Sequence, residues 1–94
     1  MMSVRDNPQS SRYELVVDGE VAGIADYTLE GDRLVIPHTE IDARRRGRGL
    51  GAVMVQGVLE DVRASGRTVV PLCWYVAQYI DEHPEFGDLV ASRS

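Results

Sequence analysis

One cysteine, Cys73, stands in the 94 residues, so no internal disulfide can form and a reducing, cytoplasmic setting is the default expectation. Long apolar runs are missing as well. Nothing approaches the roughly 20 apolar residues needed to span a bilayer, and residues 1–11 are polar with no apolar signal core. The chain reads as soluble and unexported, with no membrane partner. Positive charge is scarce: ten basic residues face fifteen acidic ones, for a net charge of −5. That balance disfavours nucleic acid as a partner, because such binding neutralises many phosphates with Lys and Arg. No Cys/His cluster has zinc-ligand spacing, so no metal site is expected. Internal repeats and low-complexity tracts are absent, and at this length a second catalytic domain is excluded. Apolar content of 44% and charged content of 27% argue against intrinsic disorder.

Against this acidic background, Arg44, Arg45, Arg46 and Arg48 place four of the ten basic residues within five positions. Gly47, Gly49 and Gly51 are interleaved with them, and a helical apolar pattern begins at Leu50. A cationic island on an acidic chain points to a small anion. Glycines let the backbone turn sharply and approach such a ligand, while the first free N–H groups of the following helix carry the positive end of its dipole.

The remaining organisation follows from local pattern. Residues 1–11 show no sustained periodicity and read as a flexible lead-in, with a single domain over residues 12–94. Residues 13–17 and 21–29 are strand candidates joined by Asp18-Gly19, a strong hairpin signal. After the Glu30-Gly31-Asp32 turn, residues 34–41 form a third strand, in which Pro37 marks an edge or a bulge. From Leu50 to Ser65, apolar Leu50, Val53, Met54, Val58, Leu59 and Val62 recur at helical spacing, and Gly66 supplies the stop. Residues 68–72 are a short buried strand, which a strand–helix–strand connection should pair parallel to residues 34–41. Residues 74–83 have the composition of a second helix ended by Pro84, with a short closing segment over residues 85–90. The expected fold is therefore α/β with a mixed, α+β-like sheet, in the order β-β-β-α-β-α.

Gly47-x-Gly49-x-x-Ala52 formally satisfies the dinucleotide-binding fingerprint, but the region about 20 residues on, Thr68-Val69-Val70-Pro71, holds no acid for a ribose. A P-loop is excluded because no Gly-Lys-Ser/Thr follows the glycines. A solvated arginine-rich loop is the remaining alternative to anion binding.

Arg46-x-x-Gly49-x-Gly51, after a strand and opening an amphipathic helix, resembles the Arg/Gln-x-x-Gly-x-Gly/Ala acetyl-CoA motif of the GNAT superfamily of N-acetyltransferases. Together with His38-Thr39-Glu40-Ile41 and with Leu72-Cys73-Trp74-Tyr75-Val76 through Tyr79, it looks like the small single-domain GNAT-like proteins. The resemblance implies an acetyl-CoA or CoA cosubstrate in a cleft between two splayed parallel strands, here residues 34–41 and 67–72. It implies that the backbone of Thr39, Glu40 and Ile41 bonds the pantetheine amides. The backbone of Arg46, Gly47, Arg48, Gly49, Leu50 and Gly51 would hold the pyrophosphate, and the Arg45 and Arg46 guanidinium groups would pair with phosphate. The helical region that commonly walls the acceptor site in full-length GNAT enzymes has no counterpart in this sequence, so the amine acceptor stays open between a small molecule and a protein.

Acetyl transfer to an amine needs a neutral nitrogen, a polarised thioester and a proton for the departing thiolate. Glu40 is the candidate general base, directly or through water; the alternative is a solvated strand-end carboxylate. Cys73, at a helix N-terminus where the dipole favours thiolate, could carry the acetyl group, line the thioester pocket, or be an inert core cysteine. Tyr75 and Tyr79 should share a helix face, so one hydroxyl could protonate the leaving thiolate; the motif favours Tyr79. A His38/Glu40 acid–base pair is conceivable, Trp74 is expected to pack, and His83 to cap its helix. A non-catalytic CoA-binding module and a protein-interaction domain remain the alternative functions.

Overall fold

The computed structural model describes residues 1–91. The chain forms β1 (Met2–Asn7), β2 (Arg12–Val17), β3 (Glu20–Glu30), β4 (Arg33–Ile41), α1 (Leu50–Ala64), β5 (Thr68–Pro71) and α2 (Trp74–Glu82), then a 3-10 segment, Pro84–Leu89. All strands belong to one sheet, laid down in sequence order. The first four pair antiparallel and β5 runs parallel to β4. From Arg12 onward this is the expected β-β-β-α-β-α mixed sheet.

The lead-in expected over residues 1–11 is instead a strand over most of its length. Met2 lies opposite Val17 and Asn7 opposite Arg12, so β1 is paired end to end. Its anchors are contacts far along the chain, which is why local periodicity does not reveal it. Val4 packs where Gly57 of α1 has no side chain; a Cβ there would sit 2.6 Å from Val4 Cγ2. On the other sheet face, Glu14 is only 2% exposed. Its carboxylate accepts from Arg12 Nε and Arg5 Nε, each at 2.9 Å, and from Asn7 Nδ2 at 3.2 Å. These donors, Arg12 foremost, hold the Glu14 carboxyl below its ordinary range despite the opposing effect of burial.

The β2–β3 hairpin turns where its Asp-Gly pair demands. Asp18 and Gly19 both have positive φ, 50° and 83°, as a twist-matched two-residue turn requires. One face of the sheet then carries α1 and α2 side by side. Tyr13 Oη donates to Asp61 of α1, and Tyr79 Oη of α2 donates to Gln56 Oε1 of α1 at 3.2 Å. Met54, Val55, Val58, Leu59 and Val62 of α1 are buried against Tyr13, Leu15, Leu34, Ile36 and Val69. Each such side chain contributes roughly 1.5–3 kcal/mol when buried. Val53, expected in this stripe, is 40% exposed, and Val55 takes its place. At the far end of α2, His83 caps as expected. Its Nδ1–H donates to the Tyr79 carbonyl at 2.8 Å, and its ring stacks on Tyr79 with centroids 3.9 Å apart.

Pairing between β4 and β5 is brief. It ends at Ile36 opposite Pro71. At the same level the β3–β4 register shifts, so that Ile36 and Pro37 together oppose Tyr27, and Pro37 stands in a bulge. The Cys73 N–H still reaches the Ile36 carbonyl at 2.9 Å. Beyond it the chain turns into α2. From Pro37 to Ile41, one edge of β4 has no strand beside it among the described residues, and the gap opens toward the start of α1.

Candidate active site in the gap between β4 and β5

The gap is a cleft of about 790 Å³, large enough for a ligand of drug size or more. One wall is β4 from Pro37 to Ile41; the others are the segment from Arg45 to Gly51 and the start of α2 at Leu72 to Tyr75. Both helices begin at this cleft, so two helix N-termini converge on it.

The loop end is made of backbone. Gly47 and Gly49 have φ of 83° and 71°, a region that residues with a Cβ enter only at a cost. Gly49 is the residue from which α1 starts. The first backbone donor found after Arg45 is Val53, whose N–H reaches the Gly49 carbonyl at 3.4 Å. The intervening amides, from Arg46 to Ala52, donate to no carbonyl among the described residues. A run of such amides at a helix N-terminus is a ready anion cradle.

The arginines divide. Arg44 pairs with Asp42 at 3.2 Å. Arg45, expected as a phosphate ligand, borders the cleft but is only 18% exposed, and its guanidinium is engaged by Glu20 at 2.8 Å and Asp42 at 3.6 Å. Arg46 is exposed at the cleft with no ion pair among the described residues. Arg48 is exposed but does not line the cleft. Of the four clustered cations, Arg46 alone is both free of an ion pair and facing the cavity.

The opposite end is made of side chains. Cys73 Sγ lies 3.4 Å from Thr39 Oγ1. Burial pushes the thiol up, but the Thr39 hydroxyl and the N–H groups of Val76, Tyr75 and Thr39 outweigh it, and the thiol sits below its ordinary value. Glu40 and His38 border the cleft on exposed positions without a hydrogen bond between them. The conceivable His38/Glu40 pair is therefore not formed. In register, His38 faces Asp26 and Glu40 faces Ile24.

Tyr79 is not at the cleft. It is 5% exposed, bonded to Gln56 and stacked on His83. Tyr75 is the tyrosine that lines the cavity, with its hydroxyl over Gly51: a Cβ on Gly51 would lie 2.7 Å from Tyr75 Oη. Because α1 and α2 run in the same direction, four residues along α2 displace Tyr79 by about 6 Å. That is one turn deeper along the same helix–helix seam. Trp74, expected to pack, is 72% exposed beside Cys73, edge-on to Tyr75. Thr39, Glu40, Ile41, Arg45, Arg46, Gly47, Gly49, Leu50, Gly51 and Cys73 are thus brought to one cavity, whereas Arg48 and Tyr79 are not. Leu72 and Trp74, which belong to the Leu72–Val76 motif without having been assigned a part in the site, and Met54, which carries no signal beyond helical core periodicity, also line it.

A family model described as GCN5-related N-acetyl-transferase matches residues 12–89. The chain belongs to this family. The protein NATD1 of Gallus gallus and that of Mus musculus are each 32% identical to it over 59 residues, covering 62% of this chain and 54% of theirs. NATD1 of Homo sapiens is likewise 32% identical, with 52% of its length covered. The chain spans about half the length of these curated relatives. An NMR structure of a GCN5-like protein from Staphylococcus aureus superposes with a TM-score of 0.71 at 13% identity, covering 98% of this chain and 90% of that one. At that identity the likeness is one of fold.

Proposed function

We propose that the protein binds acetyl-CoA in the gap between β4 and β5 and transfers the acetyl group to an amine. The observation that carries this reading is the unpaired edge of β4 from Pro37 to Ile41, continuous with the unbonded amides of Arg46 to Ala52. The β4 edge suits an extended chain bearing amides, as pantetheine does, and the loop amides with Arg46 suit a pyrophosphate. When bound, acetyl-CoA supplies an activated acetyl thioester.

The chain's own residues divide the remaining work. Glu40, exposed at the cleft, takes a proton from the acceptor ammonium, directly or through water, leaving the neutral amine that attacks the thioester carbonyl. The Tyr75 hydroxyl takes the part that the sequence motif suggested for Tyr79, supplying a proton at the sulfur end. Cys73, held by Thr39 and the first amides of α2, borders the reacting end either as an acyl acceptor or as part of its wall.

Calorimetric titration with acetyl-CoA and with CoA, followed by intact-mass analysis of the same samples, tests the reading. Saturable binding is expected, and absence of binding overturns it. Lysine is absent from the chain, so an acetyl adduct cannot arise from lysine self-acetylation. An adduct lost in Cys73→Ala assigns the acyl carrier; an adduct retained there makes Cys73 a wall residue.

A further inference from the structure

We propose that Glu20 is a positioning residue, holding the loop from Asp42 to Gly49 in its anion-binding shape through Arg45. The inference rests on reading that loop as the pyrophosphate site. Nearly everything that ties the loop to the rest of the protein comes from the first residues of β3. The Asp42 N–H donates to the Ala22 carbonyl at 2.8 Å, and Arg45 Nη2 donates to Glu20 Oε1 at 2.8 Å. Asp42 completes the brace from within. Its carbonyl accepts the Arg45 N–H at 2.8 Å, and its carboxylate accepts the Arg44 N–H at 3.1 Å while lying 3.6 Å from Arg45 Nη1.

Past Arg45 the restraints stop. Two glycines of positive φ follow, with no backbone donor bonded until Val53 among the described residues. A run of unbonded amides at a helix N-terminus is electrostatically unfavourable without an anion, so the loop needs an external mount to wait in that shape. Glu20 is well placed to be one, because it begins β3 directly after the tight Asp18-Gly19 turn and pairs with Val17. The same contacts occupy Arg45, which leaves phosphate pairing to Arg46.

The competing view is a latch, in which Glu20 withholds Arg45 from phosphate. The two differ in sign. Removing the carboxylate weakens CoA binding if Glu20 braces and tightens it if Glu20 competes. The brace accounts for the second hold by Asp42, which keeps Arg45 engaged even when Glu20 is gone.

Three variants, Glu20→Gln, Arg45→Gln and the double variant, are titrated calorimetrically with CoA and assayed with acetyl-CoA. Amide hydrogen exchange at Asp42, Arg44 and Arg45, whose N–H groups are bonded, is followed in the free proteins. Each single variant should weaken CoA by about fivefold, the scale of one partly exposed ion pair, and the double should be no weaker than the singles. KM for acetyl-CoA should rise while kcat holds, and exchange at the bonded amides of Asp42, Arg44 and Arg45 should quicken while that of β2 does not. Unchanged or tighter CoA binding in Glu20→Gln overturns the proposal. So does additive loss in the double variant, which makes Arg45 a direct ligand. A wild-type protein that ignores CoA overturns the pyrophosphate reading instead; the brace itself then stands or falls on the exchange rates.

Discussion

The two ends of the cleft are built from different materials. The loop end, from Arg46 to Ala52, presents backbone amides and two left-handed glycines. The opposite end presents side chains: Thr39 against Cys73, Tyr75 over Gly51, Glu40 on the rim. A site made of backbone is written in short-range pattern, since glycine spacing and the start of a helix determine where the amides point. A site made of side chains depends on which of several similar residues the packing turns inward. The cluster of four arginines and the pair of tyrosines show that dependence.

The largest effect should come from loading the loop end with charge. Gly49→Glu places a carboxylate at a left-handed position with open space around its Cβ, so the fold should tolerate it better than the anion does. CoA affinity should fall more than about a hundredfold, the combined result of strain and like charge. Gly49→Asn, a residue that tolerates this backbone region, should retain most of the binding. Equal loss in both variants would make shape rather than charge the determinant.

Next in size is a contrast at the other end. Tyr75→Phe should reduce kcat by about 10²-fold, in line with loss of a proton donor, with CoA affinity little changed. Tyr79→Phe should leave kcat alone and lower stability by about 1 kcal/mol through the lost bond to Gln56. A denaturant titration beside the rate assay separates the two, and reversed roles would return the proton to Tyr79.

Gly51→Ala joins the two ends. Its Cβ would meet Tyr75 Oη at 2.7 Å, so the ring must move while the loop backbone, helical at this point, need not. The expected result is a fall in kcat of roughly tenfold, smaller than for Tyr75→Phe, with CoA affinity nearly retained.

The smallest effect concerns the thiol. Hydrogen bonds to Cys73 favour the thiolate over the thiol, so alkylation by iodoacetamide should reach half its maximal rate at a lower pH than for an ordinary cysteine, about 8.5. Thr39→Val removes one of those bonds, the hydroxyl at 3.4 Å, and should move the midpoint upward. A midpoint that does not move would leave the thiolate to the α2 amides alone.

Much of the frame is written in short-range sequence. The Asp18-Gly19 turn, the bulge at Pro37, the parallel return after α1 and the loop ahead of Leu50 each follow from residues close together in the chain. The misreadings share a different cause. β1 escaped notice because its anchors, Gly57 and Glu14, lie on other elements and its own pattern is broken. Arg45 reads from the sequence as a phosphate ligand, and its pairing with Glu20, 25 positions earlier, exists only in three dimensions.

The sequence by itself determined that a cationic, glycine-rich turn would open a helix after an antiparallel meander, and that the result would resemble an acetyl-CoA site. Turn conformation and helical periodicity are local, so a linear reading reaches them. Tertiary structure decided which arginine is free, which tyrosine meets the cavity and how residues 2–7 complete the sheet. Those outcomes turn on how α1 and α2 lie against each other and on ion pairs across the hairpin. Such contacts join residues far apart in the chain, and no periodicity records them.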